Sequence, residues 1–189
     1  MGLFHNRQSE PLSLHTKLAS RYQSARTNLL IAVAFTVLNA ILLASGGDSY
    51  FLFSIFVPYY VVLMGMLLCG KFPAEFYGED MEGFEFFGNG LLIAAIVIAV
   101  LMLALYVLCF VMSSRWRGGW LIAALVLMIV DTLLMLWLGG FDADTVTDLI
   151  FHLWVVVYLA MGVHACHKLK TLPPEPIEQS VEPEVFDDV

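Results

Sequence analysis

Charged side chains are scarce in this sequence: 14% of its 189 residues are Asp, Glu, Lys or Arg, against roughly 25% in an average soluble domain. With 60% hydrophobic residues and a mean hydropathy of +0.82, the chain carries more apolar surface than a water-soluble fold of this size could cover. A soluble class is excluded. Short motifs that carry chemistry are also missing: there is no glycine-rich phosphate loop, no HExxH, no GxSxG and no basic surface for nucleic acid. No cofactor is implied. Cysteine is sparse too. Cys69, Cys109 and Cys166 sit singly near the ends of separate apolar runs, without the pairing of a disulfide framework or a zinc site, and are read as small buried apolar residues.

What is abundant is long apolar runs. They cover about 29–45, 50–70, 90–112, 119–138 and 146–166, each near the ~20 residues that a helix needs to cross hydrocarbon. Glycine-rich or charged breaks separate them: Gly46-Gly47-Asp48, an acidic aromatic connector from Lys71 to Asn89, Ser113 to Gly118, and Gly139-Gly140-Phe141-Asp142. The chain is thus expected to be all-α, an integral membrane helical bundle over 28–170 that leaves no room for a soluble catalytic domain. The polar stretch before the first run is longer than a secretory n-region, so that run is read as a retained anchor. Leu43-Ala44-Ser45-Gly46 is only loosely like a cleavage site.

The two flanks differ in sign. In residues 1–27, Leu14, Leu18, Tyr22 and Ala25 share one helical face, Lys17, Arg21 and Arg26 take polar positions, and Ser13 can cap the start. This predicts a basic amphipathic helix lying at an anionic cytoplasmic surface, or else a solvated helix with an incidental stripe. In residues 171–189, Pro173-Pro174-Glu175-Pro176 stops the last helix and opens an acidic tail with Glu178, Glu182, Glu184, Asp187 and Asp188. That composition predicts disorder.

Basic residues near span ends mark the cytoplasmic side. They cluster before the first run, at Arg115 and Arg117, and at Lys168 and Lys170, whereas Asp48, Glu75, Glu79, Asp80, Glu82, Glu85, Asp142, Asp144 and Asp148 flank the opposite ends. Keeping all three basic clusters inside requires an even number of crossings before Arg115, yet three apolar runs occupy that interval. One of them should not cross. Residues 50–70, interrupted by Pro58, are expected to form a re-entrant or interfacial segment, which membranes tolerate where protein shields the backbone. Four crossings result, with both termini cytoplasmic in a cell membrane; five crossings with a proline kink is the alternative. Trp116, Trp120, Trp137 and the connector aromatics Phe72, Phe76, Tyr77, Phe84, Phe86 and Phe87 suit headgroup boundaries.

Asp131 stands out inside its apolar run, where a carboxylate costs on the order of 2.5–3.5 kcal/mol to insert. If Gly139-Gly140 begins a tight hairpin, His152 on the next helix reaches the same depth, and Asp148 lies one turn from His152 on the same face. A relay of Asp148, His152 and Asp131 could handle a proton or cation; a purely structural Asp131–His152 hydrogen bond would instead fasten two helices. His164 and His167 share a face, but Cys166 points elsewhere and no tetrahedral metal set results. The connector acids could attract calcium, although their spacing is not that of an EF-hand. Asn39, Thr36 and Ser54 are expected to make interhelical or backbone hydrogen bonds.

The stretches Tyr50-Phe51-Leu52-Phe53-Ser54 with Pro58-Tyr59-Tyr60, and Gly118-Gly119-Trp120-Leu121-Ile122-Ala123-Ala124-Leu125 with Asp131, resemble segments of small uncharacterised bacterial multi-pass membrane proteins. That resemblance implies a membrane bundle and carries over no activity. Two functional expectations follow. In the first, the bundle binds or translocates a small ligand or cation through a polar pocket at Asp131, His152 and Asp148, and would need to form a homo-oligomer. In the second, it is a non-catalytic accessory or scaffold subunit of the lipid bilayer whose tail and basic amphipathic helix engage partners such as another membrane protein, with a purely structural Asp131/His152 pair. An intramembrane hydrolase is the weakest option, for no nucleophile and base stand at recognisable spacing.

Overall fold

The computed structural model describes residues 13–46, 51, 53–77, 85–114, 116–140 and 143–173. Asp48, the connector acids Glu79, Asp80 and Glu82, Phe84, Arg115, Asp142, the side chain of Asp144 and the acidic tail from 174 lie outside the described residues, and with them the calcium reading and the expected disorder of the tail. Six helices lie among the described residues: α1 (Leu14–Ala44), α2 (Phe56–Leu68), α3 (Ala74–Tyr77), α4 (Asn89–Met112), α5 (Gly118–Gly139) and α6 (Ala143–Thr171). Four of them, α1, α4, α5 and α6, are long and apolar enough to cross a membrane. The 13-residue α2 is about 20 Å long, short of the ~30 Å hydrocarbon thickness.

The fold is therefore a four-helix membrane bundle with one re-entrant apolar segment. Beyond α1, Phe51 lies beside Asn39 and Ile55 beside Thr36, so the described residues at 51 and 53–55 run back along that helix outside helical conformation. At that depth α2 starts, and it runs back out to the beginning of α4, where the Phe87 N–H donates to the Leu68 carbonyl at 2.9 Å. Close approach of small residues makes this return possible. A Cβ added at Gly65 would lie 2.6 Å from the Ala95 Cβ of α4, and below it Val62, Met66 and Ala99 form a small apolar cluster. Van der Waals contact between closely spaced backbones is a main source of helix association where lipid and side chains are equally apolar.

At the start of the chain, residues on both sides of position 28 belong to one continuous 31-residue helix. Leu18, Tyr22 and Ala25 are buried within the bundle, while Leu14 is exposed. The apolar stripe that predicted a helix lying along a lipid surface is covered by protein instead. The reason is again packing at close range: Gly162 of α6 approaches so closely that a Cβ there would lie 2.4 Å from the Ala25 Cβ. Around this contact the main core gathers Leu29, Leu121, Met128, Val155 and Leu159 from α1, α5 and α6.

The start of α1, the α4–α5 turn and the end of α6 come together at one end of the bundle. Tyr22 donates to the Ser113 carbonyl, its ring lies 4.9 Å from that of Trp116, and Cys166 donates to the Trp116 carbonyl at 3.3 Å. Lys17, Arg21, Arg26, Arg117, Lys168 and Lys170 thus belong to a single basic end, and Lys71 falls at the other. At that opposite end the described connector residues fold on themselves: Phe72 stacks on Phe76, and Tyr77 meets Phe86 edge-on. All three cysteines are free and buried.

Candidate functional site

A helix that begins inside a membrane bundle exposes main-chain N–H groups which nothing in its own first turn can accept, and in hydrocarbon no water replaces them. The start of α2 meets this requirement in full. The Ile55 N–H donates to Oγ1 of Thr36 at 2.7 Å. The Phe56 N–H donates to Oδ2 of Asp131 and the Val57 N–H to Oδ1, both at 2.9 Å. The next residue is Pro58, which has no N–H. Pro58 therefore does not interrupt a helix, as its place in the apolar run suggested; it occupies the first turn of one, where its ring is tolerated. Ile55 offers no side-chain cap, so Asp131 supplies that function from α5.

One turn earlier, Asn39 holds the descending chain by a reciprocal pair. Its Nδ2 donates to the Phe51 carbonyl and its Oδ1 accepts the Phe51 N–H, each at 2.8 Å. Thr36 passes its own hydroxyl hydrogen to the Ala32 carbonyl, which frees its oxygen to accept from Ile55. Asn39 and Thr36, which the sequence marked as backbone-bonding core groups, are thus the α1 half of a three-residue clamp on 51–57.

Asp131 also faces His152, as the hairpin geometry predicted. Oδ2 lies 3.1 Å from Nε2 of the imidazole, and the two residues are 3% and 1% exposed. The other ring nitrogen, Nδ1, is 2.9 Å from the backbone carbonyl oxygen of Asp148. A carbonyl can only accept, so Nδ1 carries a hydrogen. Nε2 and Oδ2 then need a second hydrogen between them, on one atom or the other. Either assignment gives the pair a net charge of zero, which suits a site remote from water. Two backbone N–H groups and the positive end of the α2 dipole thus face a pair whose net charge is zero.

Asp148 meets His152 at this contact through main chain rather than through the side-chain relay that its spacing suggested. Its carboxylate lies within electrostatic reach of His152 and of Tyr59. On the far side of Asp131, between α2, α4 and α5, a cavity of about 80 Å³ is bordered by Val57, Tyr106 and aliphatic side chains, and does not reach His152.

A second constellation lies at the basic end, where Arg26 grips the last turn of α4. Its Nε donates to Ser113 Oγ at 3.0 Å, Nη2 to the Phe110 carbonyl at 3.1 Å and Nη1 to Gln23 Oε1 at 3.0 Å, and its guanidinium lies 4.8 Å above the Phe110 ring. In the sequence Arg26 was one charge among several in a basic flank. Nearby, His164, Cys166 and His167 line a groove between α5 and α6, and the Cys166 thiol donates to the Trp116 carbonyl. Among the described residues no three His, Cys, Asp or Glu side chains are grouped as metal ligands.

These features define a class: a multi-pass helical membrane protein with a re-entrant segment clamped by buried polar side chains. Comparison with protein-family models, with curated proteins and with solved structures gives no match.

Proposed function

We propose that this chain is a non-catalytic accessory or scaffold subunit of a cell membrane, in which the Asp131–His152 pair serves architecture. One observation carries the reading: both carboxylate oxygens of Asp131 accept main-chain N–H groups of the protein's own re-entrant helix. A carboxylate that serves a diffusible cation needs lone pairs aimed at a hydrated path, and here they are aimed at α2. The gathering of basic residues at one end supports cytoplasmic termini, and the broad exposed apolar flank of α4, including Ile93, Val100 and Leu101, suits lipid or a partner membrane protein, a second copy included. The competing reading, a small ligand or cation bound or passed at Asp131, draws on the 80 Å³ cavity beside it.

The two readings diverge in reconstituted vesicles. Proteoliposomes holding the full chain and a trapped pH or cation dye should leak no faster than empty vesicles, and Asp131→Asn should change the melting temperature while leaving flux at background. Flux in the wild type that disappears in a folded Asp131→Asn variant would overturn the scaffold reading in favour of transport.

A further inference from the structure

We propose that the groove between α5 and α6 at the basic end binds the phosphate of an anionic phospholipid, with an acyl chain lying along the same groove. Its polarity is graded along α6, and the α5 wall passes from bare glycine to apolar side chains in the same direction. On α6, Lys170 and His167 stand at the mouth, His164 follows, and Val163 and Ala160 continue towards mid-bundle. On α5 the mouth is formed by Gly118 and Gly119, followed by Ile122 and Leu125. The groove therefore has its polar side chains, all from α6, at one level and apolar side chains of both helices at the next, the pattern that a headgroup and chain would meet.

The level itself fits. Counted from Gly139, the 22 residues of α5 extend about 33 Å, close to the ~30 Å hydrocarbon thickness, so the groove mouth falls at the headgroup boundary. Its capacity of about 450 Å³ exceeds what one side chain would fill. The first turn of α5 adds the positive end of a helix dipole, and Gly119 leaves that wall bare, since a Cβ added there would meet nothing within 4 Å. Lys170, His164 and His167 are exposed, and cationic pockets between membrane helices select anionic headgroups by charge.

Native mass spectrometry of the full chain in a non-ionic detergent, with phosphatidylglycerol or phosphatidylcholine of identical chains, tests this. Phosphatidylglycerol should be retained in preference, and Lys170→Gln should reduce its retention about fivefold, the equivalent of about 1 kcal/mol per basic residue. Gly119→Phe, which projects into open space rather than into the bundle, should abolish retention of either lipid with the circular dichroism unchanged. Lys17→Gln, at the same end but outside the groove, should have no effect, and inorganic phosphate at millimolar concentration should fail to displace the lipid. Equal retention of both lipids, equal losses in Lys17→Gln and Lys170→Gln, retention by Gly119→Phe, displacement by phosphate alone, or a dimer in place of a lipid adduct would each overturn the proposal.

Discussion

Two helix ends in this bundle are capped by charged side chains from other helices, and they are handled in different ways. The start of α2 takes a carboxylate, Asp131; the end of α4 takes a guanidinium, Arg26. Both signs complement the helix dipole. What differs is depth. Asp131 lies eight residues inside the end of α5, about 12 Å, and is paired within the protein with His152. Arg26 is half-buried at the basic end, where water and lipid headgroups lie within reach of a long side chain. Depth thus decides whether an ionisable cap needs a second ionisable residue built beside it.

Removing the deep cap should break the comparison most severely. Asp131→Ala leaves the Phe56 and Val57 N–H groups and the His152 ring facing an apolar void, and should cost about 3–5 kcal/mol, the range for removing one partner of a buried pair. His152→Asn removes a partner of the same pair but keeps a side-chain amide beside Asp131 and leaves the Phe56 and Val57 N–H groups capped, so it should cost less. Interhelical side-chain hydrogen bonds in membranes average only about 0.6 kcal/mol, because loosened helices find other partners, whereas the main chain of a broken helix in lipid finds none. Denaturant titration of the purified protein would rank the two variants. Maleimide labelling of a cysteine placed at the buried Ile55 would report whether the re-entrant segment has come loose. If His152→Asn proved the more damaging, the main-chain cap would not be what Asp131 mainly provides.

The shallow cap should show a smaller effect. Arg26→Met keeps the stem over Phe110 but loses the hydrogen bonds to Ser113 and the Phe110 carbonyl. A loss of about 1–2 kcal/mol is expected, below the full worth of charge-assisted bonds because solvent and headgroups can take over part of the work. The same denaturation measurement decides it. A loss as large as that of Asp131→Ala would remove the distinction by depth.

Most of the architecture was legible in composition and charge, and the features that were not share a cause. Five apolar runs, three basic clusters and an odd Pro58 lead to four crossings and one re-entrant segment. The glycine pair at 139–140 brings Asp131 and His152 level. These inferences use side-chain type and spacing alone. The acceptor geometry of Asp131 uses neither, since its partners are main-chain N–H groups of Phe56 and Val57, far away in sequence, and every non-proline residue has one. A signal was available: an apolar run restarting at Phe56-Val57-Pro58 with no capping side chain of its own needs an acceptor from elsewhere, and Asp131 was the buried acid in search of donors. The inward turn of Leu18, Tyr22 and Ala25 was hidden for a related reason. An amphipathic stripe is equally suited to lipid and to protein, and the choice depends on Gly162, a residue of another helix whose closeness to Ala25 no local pattern reveals.

The finest division concerns how the end of α4 is shared between Arg26 and Tyr22. The Tyr22 hydroxyl donates to the Ser113 carbonyl, while Arg26 reaches the Ser113 hydroxyl and the Phe110 carbonyl, so the two residues cover different acceptors of one turn. Tyr22→Phe removes a single neutral hydrogen bond and keeps the ring against Trp116, so it should cost about 0.5–1.5 kcal/mol. Because Tyr22 and Arg26 share the Ser113 turn, their losses should not simply add. With Arg26 already replaced, Tyr22→Phe should cost less than in the wild type if that turn is held as a unit. Equal costs in both backgrounds would mean that each acceptor is secured independently, and that the α4 terminus, unlike the start of α2, is not one cooperative clamp.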